Sequence, residues 1–482
     1  MYLRLAELRA RLAALDGIIL RQQLLLDQLQ TDKRAVQNEL QSFAYPVLTL
    51  PPEITSEIFL HSLPDEPEPP HQMCAPLLLR RVCKAWEAIS TSTPALWATL
   101  SLDGDRLQID NSQRFQTIVK TWLDRAGSCP LTLIFRGQMG ETSLDNACTG
   151  DIISFYAARL RRLDLRMDLE DFRVLKDIGS FPLLHDLTLG LPFQYDEDET
   201  LDDVLGPGVF EDTSVLRRLT LTENAVPSFA TVSWQHLTIF HGEAATMQDC
   251  LNVLRFAPLL TECTFCVGYG TRDVHSGGGM LLHSRLQVLS LIESDKFDGT
   301  GDIFKRITLP SLHTLRISSV DDLNDDGSFQ SFIHRSSPLL HTFSLSGFYL
   351  GPDDPFMPGC LRFMVKLTHL DLVLLDIDEG WMEELLRCLT NGAEDFLPEL
   401  QHLVLEGWEY PVSCYTTMVQ SLYSRWGPPV RDVIANLRSF KLTLQPNTYI
   451  DEATVNLDSL AELAAAGASI HIGTAEHNYF NS

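Results

Sequence analysis

The sequence has little positive charge for its size. Its 37 lysines and arginines are outnumbered by 64 aspartates and glutamates, which gives a formal net charge of −27 over 482 residues. Such a surface repels phosphates, so we do not expect nucleic acid or an anionic membrane as a partner. Most of the excess charge is explained by solubility, although a basic target remains compatible with it.

The sequence also lacks the features of a secreted or membrane protein. No apolar stretch reaches the roughly 20 residues of a membrane span, and none of the asparagines begins an Asn-x-Ser/Thr sequon. The N-terminal run is charged and amphipathic, unlike a signal peptide. The ten cysteines are scattered, which is typical of free thiols in a reducing compartment. We therefore expect an intracellular protein, cytoplasmic or nuclear.

Motifs that carry catalysis, phosphate binding or metal binding are missing as well. The glycines at 277–279 are not followed by the Lys-Ser or Lys-Thr of a P-loop. Cys263 and Cys266 form one CxxC without a second pair at zinc spacing, and they fall on a predicted strand, which favours core thiols. The run 322–327 matches half of an EF-hand loop, but Ile333 stands where the bidentate glutamate is required. We expect no enzyme, no cofactor and no metal site.

What the sequence does contain begins with a heptad repeat. Apolar residues recur at alternating steps of three and four in two registers, Leu5, Leu12, Ile19, Leu26, Lys33 and Leu40, and Leu8, Leu15, Gln22, Leu29, Val36 and Phe43. The pattern predicts a coiled-coil helix over residues 1–44, in which Gln22 and Lys33 are polar positions that fix the register. The helix either folds back on its own protein or self-associates through residues 1–43, and the sequence leaves both open.

Two short apolar stripes follow within residues 45–102. The first begins at a pair of prolines suited to a helix start and consists of Leu50, Ile54 and Ile58. The second recurs at i, i+3, i+4 and i+7 and consists of Leu79, Val82, Cys83 and Trp86. Spacing alone is equally compatible with an ordinary helical hairpin in a core.

The residues themselves are more specific than their spacing. Leu50-Pro51-x-Glu53-Ile54 with Ile58-Phe59, then Val82-Cys83-Lys84-x-Trp86, then Leu96-Trp97, resembles the F-box. The F-box is the helical module by which substrate receptors attach to the Skp adaptor of cullin–RING (SCF-type) ubiquitin ligases. The chain departs from the family in a proline-rich acidic insert at 64–76, which we expect to form an exposed loop. The resemblance implies adaptor binding by Leu50, Pro51, Ile54, Ile58, Leu79, Val82 and Trp86.

A second repeat begins near residue 160. A Leu-x-x-Leu-x-Leu-like core recurs eleven times, with the middle residues Leu163, Leu187, Leu219, Leu237, Cys263, Leu289, Leu315, Phe343, Leu370, Leu403 and Phe440. The central steps fall within the 20–29 residues of leucine-rich repeats, and helix-like patterns lie between the cores. The region resembles irregular leucine-rich repeats. This resemblance implies an α/β solenoid, a horseshoe with a parallel sheet on its concave face.

The predicted organisation has five parts. They are a coiled-coil helix at 1–44, a small all-α F-box at 45–102, a connecting segment at 103–159, a leucine-rich-repeat solenoid at 160–450, and a C-terminal cap and tail at 451–482 with a short strand at 469–472.

By strand alternation, the residues beside the inward-pointing core positions project from the concave face. The candidates for contact with a protein client are Arg162, Asp164, Arg218, Arg316, His369, Asp371, His402 and Lys441. The wider set on this face includes Arg166, Thr220, His236, Thr264, Ser290, Ser344 and Glu406.

Together these expectations describe a substrate receptor. Its F-box would dock on a Skp-type adaptor, and through it on cullin, while its repeats bind a protein client. The alternative is a non-catalytic leucine-rich-repeat scaffold whose F-box is degenerate or used outside any ligase.

Overall fold

The chain divides into two compact units in a computed structural model. The first comprises Met1–Glu66 with Pro70–Trp97, and the second comprises Pro67–Pro69 with Ala98–Ser482. The residues that the structure describes are 2–42, 49–103, 112–137, 146–168, 171–172, 175, 178, 180–192, 210, 213–230, 232–267, 279–293, 303–318, 327–336, 339–350, 356–377, 379–391, 396–407, 414–426, 437–443, 462–465 and 467–473.

The first unit begins with helix α1, Tyr2–Ser42, at the place where the heptad repeat predicts a helix. Its 41 residues span about 60 Å. The apolar side chains of both registers from Leu5 to Val36 are exposed. Within the described part of the chain, no helix is long and apolar enough to cross a membrane.

Three short helices and a 3-10 turn follow α1 among the described residues of the first unit. They are α2 (Pro52–Leu60), α3 (Leu79–Val82), α4 (Lys84–Ser92) and the turn Pro94–Trp97. Phe59 of α2 is buried and meets the ring of Trp86 edge-on at 4.9 Å. The fully buried Trp97 donates its indole N–H to the carbonyl of Ser90 at 2.8 Å, so the turn is fixed against α4.

The second predicted stripe is interrupted. Cys83 has an extended backbone (φ −159°, ψ 168°), so α3 ends at Val82 and α4 starts anew at Lys84. Valine and cysteine are both weak helix formers, which makes this the easiest place for the helix to break. Within α3, Leu79 is buried and Val82 is exposed.

The second unit is built on a parallel sheet of fourteen strands. Its strands are β1 (Thr99–Asp103), β2 (Leu131–Arg136), β3 (Leu160–Arg166), β4 (Asp186–Leu191), β5 (Arg218–Glu223), β6 (Ile239–Ala245), β7 (Glu262–Val267), β9 (Val288–Glu293), β11 (Thr314–Ser318), β12 (Thr342–Leu350), β13 (His369–Ile377), β14 (His402–Glu406), β15 (Ser439–Thr443) and β16 (Ser469–Gly473). Each strand pairs with the next one along the chain, except that β8 (Leu281–Leu282) and β10 (Ile307–Thr308) pair separately.

Helices lie between many of these strands. They are α5 (Ser112–Arg125), α6 (Asn146–Tyr156), α7 (Met247–Phe256), α8 (Ser328–Ser336), α9 (Phe356–Leu361), α10 (Glu379–Asn391) and α11 (Cys414–Trp426). The start of α7 shows how the sequence fixes such a helix. The Thr246 hydroxyl accepts the N–H of Asp249, and the Asp249 carboxylate accepts the N–H of Thr246, which is a capping box.

The strand register places the repeated leucines in one line across the sheet. Leu163 lies beside Leu187, Leu187 beside Leu219, and Leu370 beside Leu403. These side chains are buried, so the hydrophobic repeat forms a continuous core behind the sheet. The distance between successive middle residues ranges from 21 residues, Leu219 to Phe240, to 37 residues, Leu403 to Phe440.

One repeat is displaced from its predicted position. Leu237 is predicted as the middle core residue, but the structure pairs Leu219 with Phe240 and Phe240 with Cys263. Leu237 is instead the buried residue that precedes the strand. The core position after Phe240 is Gly242, where a Cβ atom would stand 3.0 Å from the phenyl ring. A search for leucines misses this repeat because a phenylalanine ring takes the space of two side chains.

The sheet extends beyond the predicted limits of 160–450. Strands β1 and β2 precede it, so Thr99–Asp103 belongs to the sheet and the segment 103–159 carries a strand and two helices of the same architecture. At the other end, the strand predicted at 469–472 is present as β16 and extends the sheet beside β15.

Arginines at the ends of helical segments bind backbone carbonyls of other segments. Arg159 donates to Cys129 at 3.1 Å, and Arg335 donates to Phe304 at 2.9 Å. Arg425, at the end of α11, is 4% exposed and donates to the carbonyls of Leu389 (3.0 Å), Leu397 (3.1 Å) and Phe396 (2.6 Å). Burial lowers the pKa of Arg425 to about 10, so the guanidinium stays charged at neutral pH.

Replacing Arg425 with leucine should destabilise the second unit. The substitution removes three hydrogen bonds to backbone carbonyls, although the carbonyl of Leu397 keeps the N–H of Leu400 as a donor. We expect it to lower the free energy of unfolding by about 3 kcal/mol. The exposed Arg438 provides the matched control, and Arg438→Leu should cost less than about 0.5 kcal/mol. Urea denaturation, monitored by circular dichroism, gives the free energy of unfolding of both variants. Equal midpoints for the two variants would show that Arg425 does not support the fold in this way.

Candidate docking surfaces

Helix α2 carries two neighbouring stripes with opposite burial. Thr55 and Phe59 are buried, whereas Ile54 is 50% exposed and Ile58 is 46% exposed. Leu50 precedes them on the same spacing and is also exposed. We call Leu50, Ile54 and Ile58 the α2 stripe. Large aliphatic side chains held outward together on one helix are typical of a contact surface for another protein.

Most of the other predicted adaptor-binding residues are at least partly exposed to solvent. Pro51 and Val82 are exposed, and Trp86 is half-buried against Phe59. Leu79 is the exception, because it is only 5% exposed and lies in the interior of the first unit. Its burial offers little side-chain surface to an adaptor, so its docking role stays a prediction. Leu79 belongs to the hydrophobic core of the first unit.

The insert at 64–76 leads directly into α3. The amide N–H of Cys74 donates to the carbonyl of His71 at 3.0 Å, and that of Leu78 donates to the carbonyl of Cys74 at 2.9 Å. The Arg81 guanidinium donates to the side-chain oxygen of Gln72 at 2.9 Å. The predicted exposed loop is observed for most of these residues, but Pro76 is buried.

The second surface is formed by the strands of the fourteen-stranded sheet. We call the residues immediately before and after the middle core residues the polar face. The structure places Arg162, Arg218, His369 and His402 in its first row and Asp164, Arg316, Asp371 and Lys441 in its second row. His236 of the wider predicted set lies in the 3-10 turn Trp234–His236 instead, and His241 takes its place beside Thr220.

The sequence predicts that Asp164 projects into solvent, but in the structure it is buried. Its side chain is 1% exposed, and its two oxygens lie 3.3 Å from Arg136 and 3.2 Å from Arg166. The carboxylate therefore positions two guanidinium groups, and the arginines are the solvent-accessible members of this cluster. Arg166 also needs the glycine beside it, because a Cβ atom at Gly190 would stand 3.0 Å from the Arg166 side chain and 2.5 Å from the Thr222 hydroxyl.

A second ion pair lies on the next strands. Arg218 approaches Asp186 at 3.4 Å, and the same carboxylate lies 3.3 Å from the ring of His185. Across β2 to β5 the polar face thus presents arginines fixed by carboxylates.

The other end of the polar face is organised around two histidines. The rings of His369 and His402 stack with centroids 4.2 Å apart and planes at 16°. His402 Nδ1 is 2.6 Å from the hydroxyl of Ser439, and His369 Nδ1 is 2.8 Å from that of Thr368. We call His369 and His402 the histidine pair.

The pKa values of His402 and Asp371 are shifted by burial and by neighbouring charges. Burial raises the pKa of Asp371, an effect that His369, Arg316 and His402 oppose. Burial also lowers the pKa of His402; the charge of His369 adds to this effect and the charge of Asp371 opposes it. At neutral pH His402 is therefore held in its uncharged form.

The remaining motifs separate into described and undescribed ones. Cys263 is buried at a middle core position of β7, as predicted, and Cys266 is half-buried. Burial raises the pKa of both thiols, which disfavours the reactive thiolate. Among the described residues, no three histidine, cysteine or acidic side chains are grouped to hold a metal. The positions 277–278 and 322–326 lie outside the described residues.

No protein-family model matches the chain, and no curated protein matches it.

Several residues of these surfaces were not found from the sequence. Arg136 precedes the predicted repeats, Gly190 fits no leucine pattern, and His241 is hidden by the displaced repeat. The steps of 30 and 24 residues that align Leu133, Leu163 and Leu187 would have revealed the first of these.

The histidine pair predicts a measurable titration. In an NMR titration of histidine-labelled protein, His402 should protonate at lower pH than a histidine in an unstructured peptide. Asp371→Asn should lower the pKa of His402 further, because the carboxylate favours the charged ring. His369→Gln should raise it, because a neighbouring positive charge is removed. Shifts in the opposite directions would contradict the arrangement.

Proposed function

We propose that the chain is the substrate-recognition subunit of an SCF-type ubiquitin ligase. In this function the α2 stripe and its neighbours contact a Skp-type adaptor, which connects the chain to cullin, and the polar face contacts a protein client. The observation that carries the proposal is the outward position of Ile54 and Ile58 on a helix whose adjacent stripe is buried, at residues that resemble the F-box.

The adaptor side is supported by chemistry as well as by position. Fully burying an exposed leucine or isoleucine side chain contributes about 1.5–3 kcal/mol, so the half-exposed α2 stripe can supply much of the affinity for an apolar groove. Val82 and Pro51 enlarge the exposed apolar surface of this unit.

The client side is supported by the size and variety of the polar face. Fourteen strands about 4.8 Å apart provide a surface about 60 Å long. Its chemistry changes along this length, from the arginines fixed by Asp164 and Asp186 to the histidine pair with Arg316 and Lys441. A long, varied surface suits recognition of a protein, and we assign the unit to the leucine-rich-repeat class.

The chain itself would perform no covalent step. It would hold the client near a ubiquitin-charged partner, so that the effective concentration of client lysines rises at the reacting thioester. The arginines of β2 to β5 suggest that the client presents acidic side chains there.

A non-catalytic scaffold is the second candidate. The burial of Leu79 and the break at Cys83 favour it, because they remove one expected contact from the docking surface. In that case the first unit is a structural element and the polar face binds a partner outside any ligase.

Co-purification with a Skp-type adaptor tests the proposal. Ile54→Asp places a charge in the α2 stripe and should weaken adaptor binding by at least about 2 kcal/mol, or thirtyfold. Ile118→Asp is the matched control, because Ile118 is 49% exposed on α5 and the chemical change is identical. The control should bind as the wild type does, and isothermal titration gives both affinities.

Two outcomes would count against the receptor. A folded wild-type chain that forms no adaptor complex would favour the scaffold. Equal loss of binding in the Ile54→Asp and Ile118→Asp variants would show that the effect of Ile54 is not specific to the α2 stripe.

A further inference from the structure

Helix α1 exposes an apolar seam along its whole described length. Leu12 is 62% exposed and Leu29 is 56% exposed, and the other apolar members of the two heptad registers between Leu5 and Val36 are similarly exposed. A helix of 41 residues with this surface is far longer than most helices of globular proteins. The charges beside the seam indicate what covers it.

The residues immediately before the first register flank the seam on one side. In heptad notation they are the g positions Arg4, Arg11, Ile18, Leu25, Asp32 and Glu39. They are basic at the beginning of the helix, apolar in the middle and acidic at the end. The e positions on the other side, with one cation, one anion and three glutamines, are Arg9, Asp16, Gln23, Gln30 and Gln37.

A parallel pair of two copies fits these charges poorly. Each g position then faces the e position five residues later on the second copy. Arg4 would face Arg9, which is repulsive, and Arg11 would face Asp16, which is attractive, so these two contacts offset each other. Asp32 would face the uncharged Gln37. Lys33 would meet its own counterpart inside the seam, where two ammonium groups are costly.

An antiparallel pair fits them well, because g positions then face g positions. One alignment brings Arg4 opposite Glu39, Arg11 opposite Asp32 and Ile18 opposite Leu25. By symmetry each of these contacts occurs twice, so one dimer has four opposite-charge pairs and two apolar ones. The charges at the g positions of α1 face opposite charges on a second α1 only when the second helix runs in the opposite direction.

The same alignment also gives workable layers in the seam. Leu5 packs against Val36, Leu12 against Leu29, and Leu15 against Leu26, all of them aliphatic pairs. At the centre Ile19 faces Gln22, an uncharged polar side chain. Lys33 lies beside Leu8, near the end of the pair, where its long stem covers apolar surface and its amine reaches water. No layer contains two like charges.

We propose that α1 pairs with α1 of a second copy of this chain in an antiparallel coiled coil. The occupant of the exposed seam is thus the chain itself, and the orientation is set by the segregation of positive and negative charge between the two ends of the helix. The proposal does not depend on the ligase function, since it rests on α1 alone.

Charge reversal at two positions tests both the pairing and its direction. In sedimentation equilibrium of the full-length chain, the wild type should be a dimer. Arg11→Glu and Asp32→Arg should each raise the dissociation constant about tenfold or more, because each turns two attractive pairs into two repulsive ones.

Mixing the two variants restores the opposite charges. An equimolar mixture of Arg11→Glu and Asp32→Arg chains should regain wild-type affinity in the heterodimer. There the introduced glutamate of one chain faces the introduced arginine of the other, and the unchanged Arg11 faces the unchanged Asp32. Recovery of this kind requires the two positions to lie opposite each other, which is true only of the antiparallel pair.

Two further variants serve as controls. Arg34→Glu makes the same change of charge at a position away from the seam and should leave the dissociation constant unchanged. Arg9→Glu faces Gln30 in the antiparallel pair and should have little effect, whereas it would strengthen a parallel pair by removing the repulsion between Arg4 and Arg9. Circular dichroism checks that every variant keeps its helix content.

Three results would overturn the proposal. A monomeric wild type would mean that α1 folds back on its own chain. A dimer whose mixed variants fail to recover, or whose affinity rises with Arg9→Glu, would be parallel. A mass of three or more copies would mean a larger bundle, for which these pairings do not hold.

Discussion

The larger unit depends on a ladder of backbone hydrogen bonds that begins just before each strand. The N–H of Thr261 donates to the carbonyl of Thr238 at 2.8 Å, and Gln287, His313 and His341 continue the series at 2.9, 2.8 and 2.8 Å. In this way the residue two places before each middle core residue is tied to its counterpart in the previous repeat. The ladder and the buried hydrophobic residues agree on one register, so every strand presents the same side to the core.

Threonine hydroxyls strengthen the ladder at several steps. Those of Thr261 and Thr368 donate to the same carbonyls as their own N–H groups, both at 3.0 Å. Because the register is fixed by backbone groups and by buried leucines, it does not depend on the polar-face residues, which are free to differ from one repeat to the next. That freedom explains how one sheet can present arginines at one end and stacked histidines at the other.

The sequence was sufficient for whatever depends on local periodicity. Helix α1, the start of α2 at its prolines and ten of the eleven middle core residues follow from spacing, because the apolar residues at these positions recur with the same pattern in each repeat. The break at Cys83 did not follow, since the apolar spacing of Leu79, Val82, Cys83 and Trp86 continues across it. The burial of Asp164 did not follow either, because it requires Arg136 and Arg166 to converge from two strands.

Long-range polar contacts were the hardest to anticipate. Arg425 reads as an ordinary cation near a helix end, and only the path of the chain brings the carbonyls of Leu389, Phe396 and Leu397 around it. Gly190 reads as a weak point in a strand, whereas it is the space in which the Arg166 side chain lies. In both places the residue type is dictated by atoms distant in sequence.

The uneven spacing between strands makes the connecting segments, rather than the sheet, the part of the chain that can absorb insertions and deletions. The step before Phe240 has 21 residues and the step before Phe440 has 37, yet the strands on either side of both pair in the same register. Lengthening a flexible loop costs only about 0.6 kcal/mol for each doubling. The lineage of this protein can therefore remodel its connections by changes in length and its polar face by substitution, with little interference between the two.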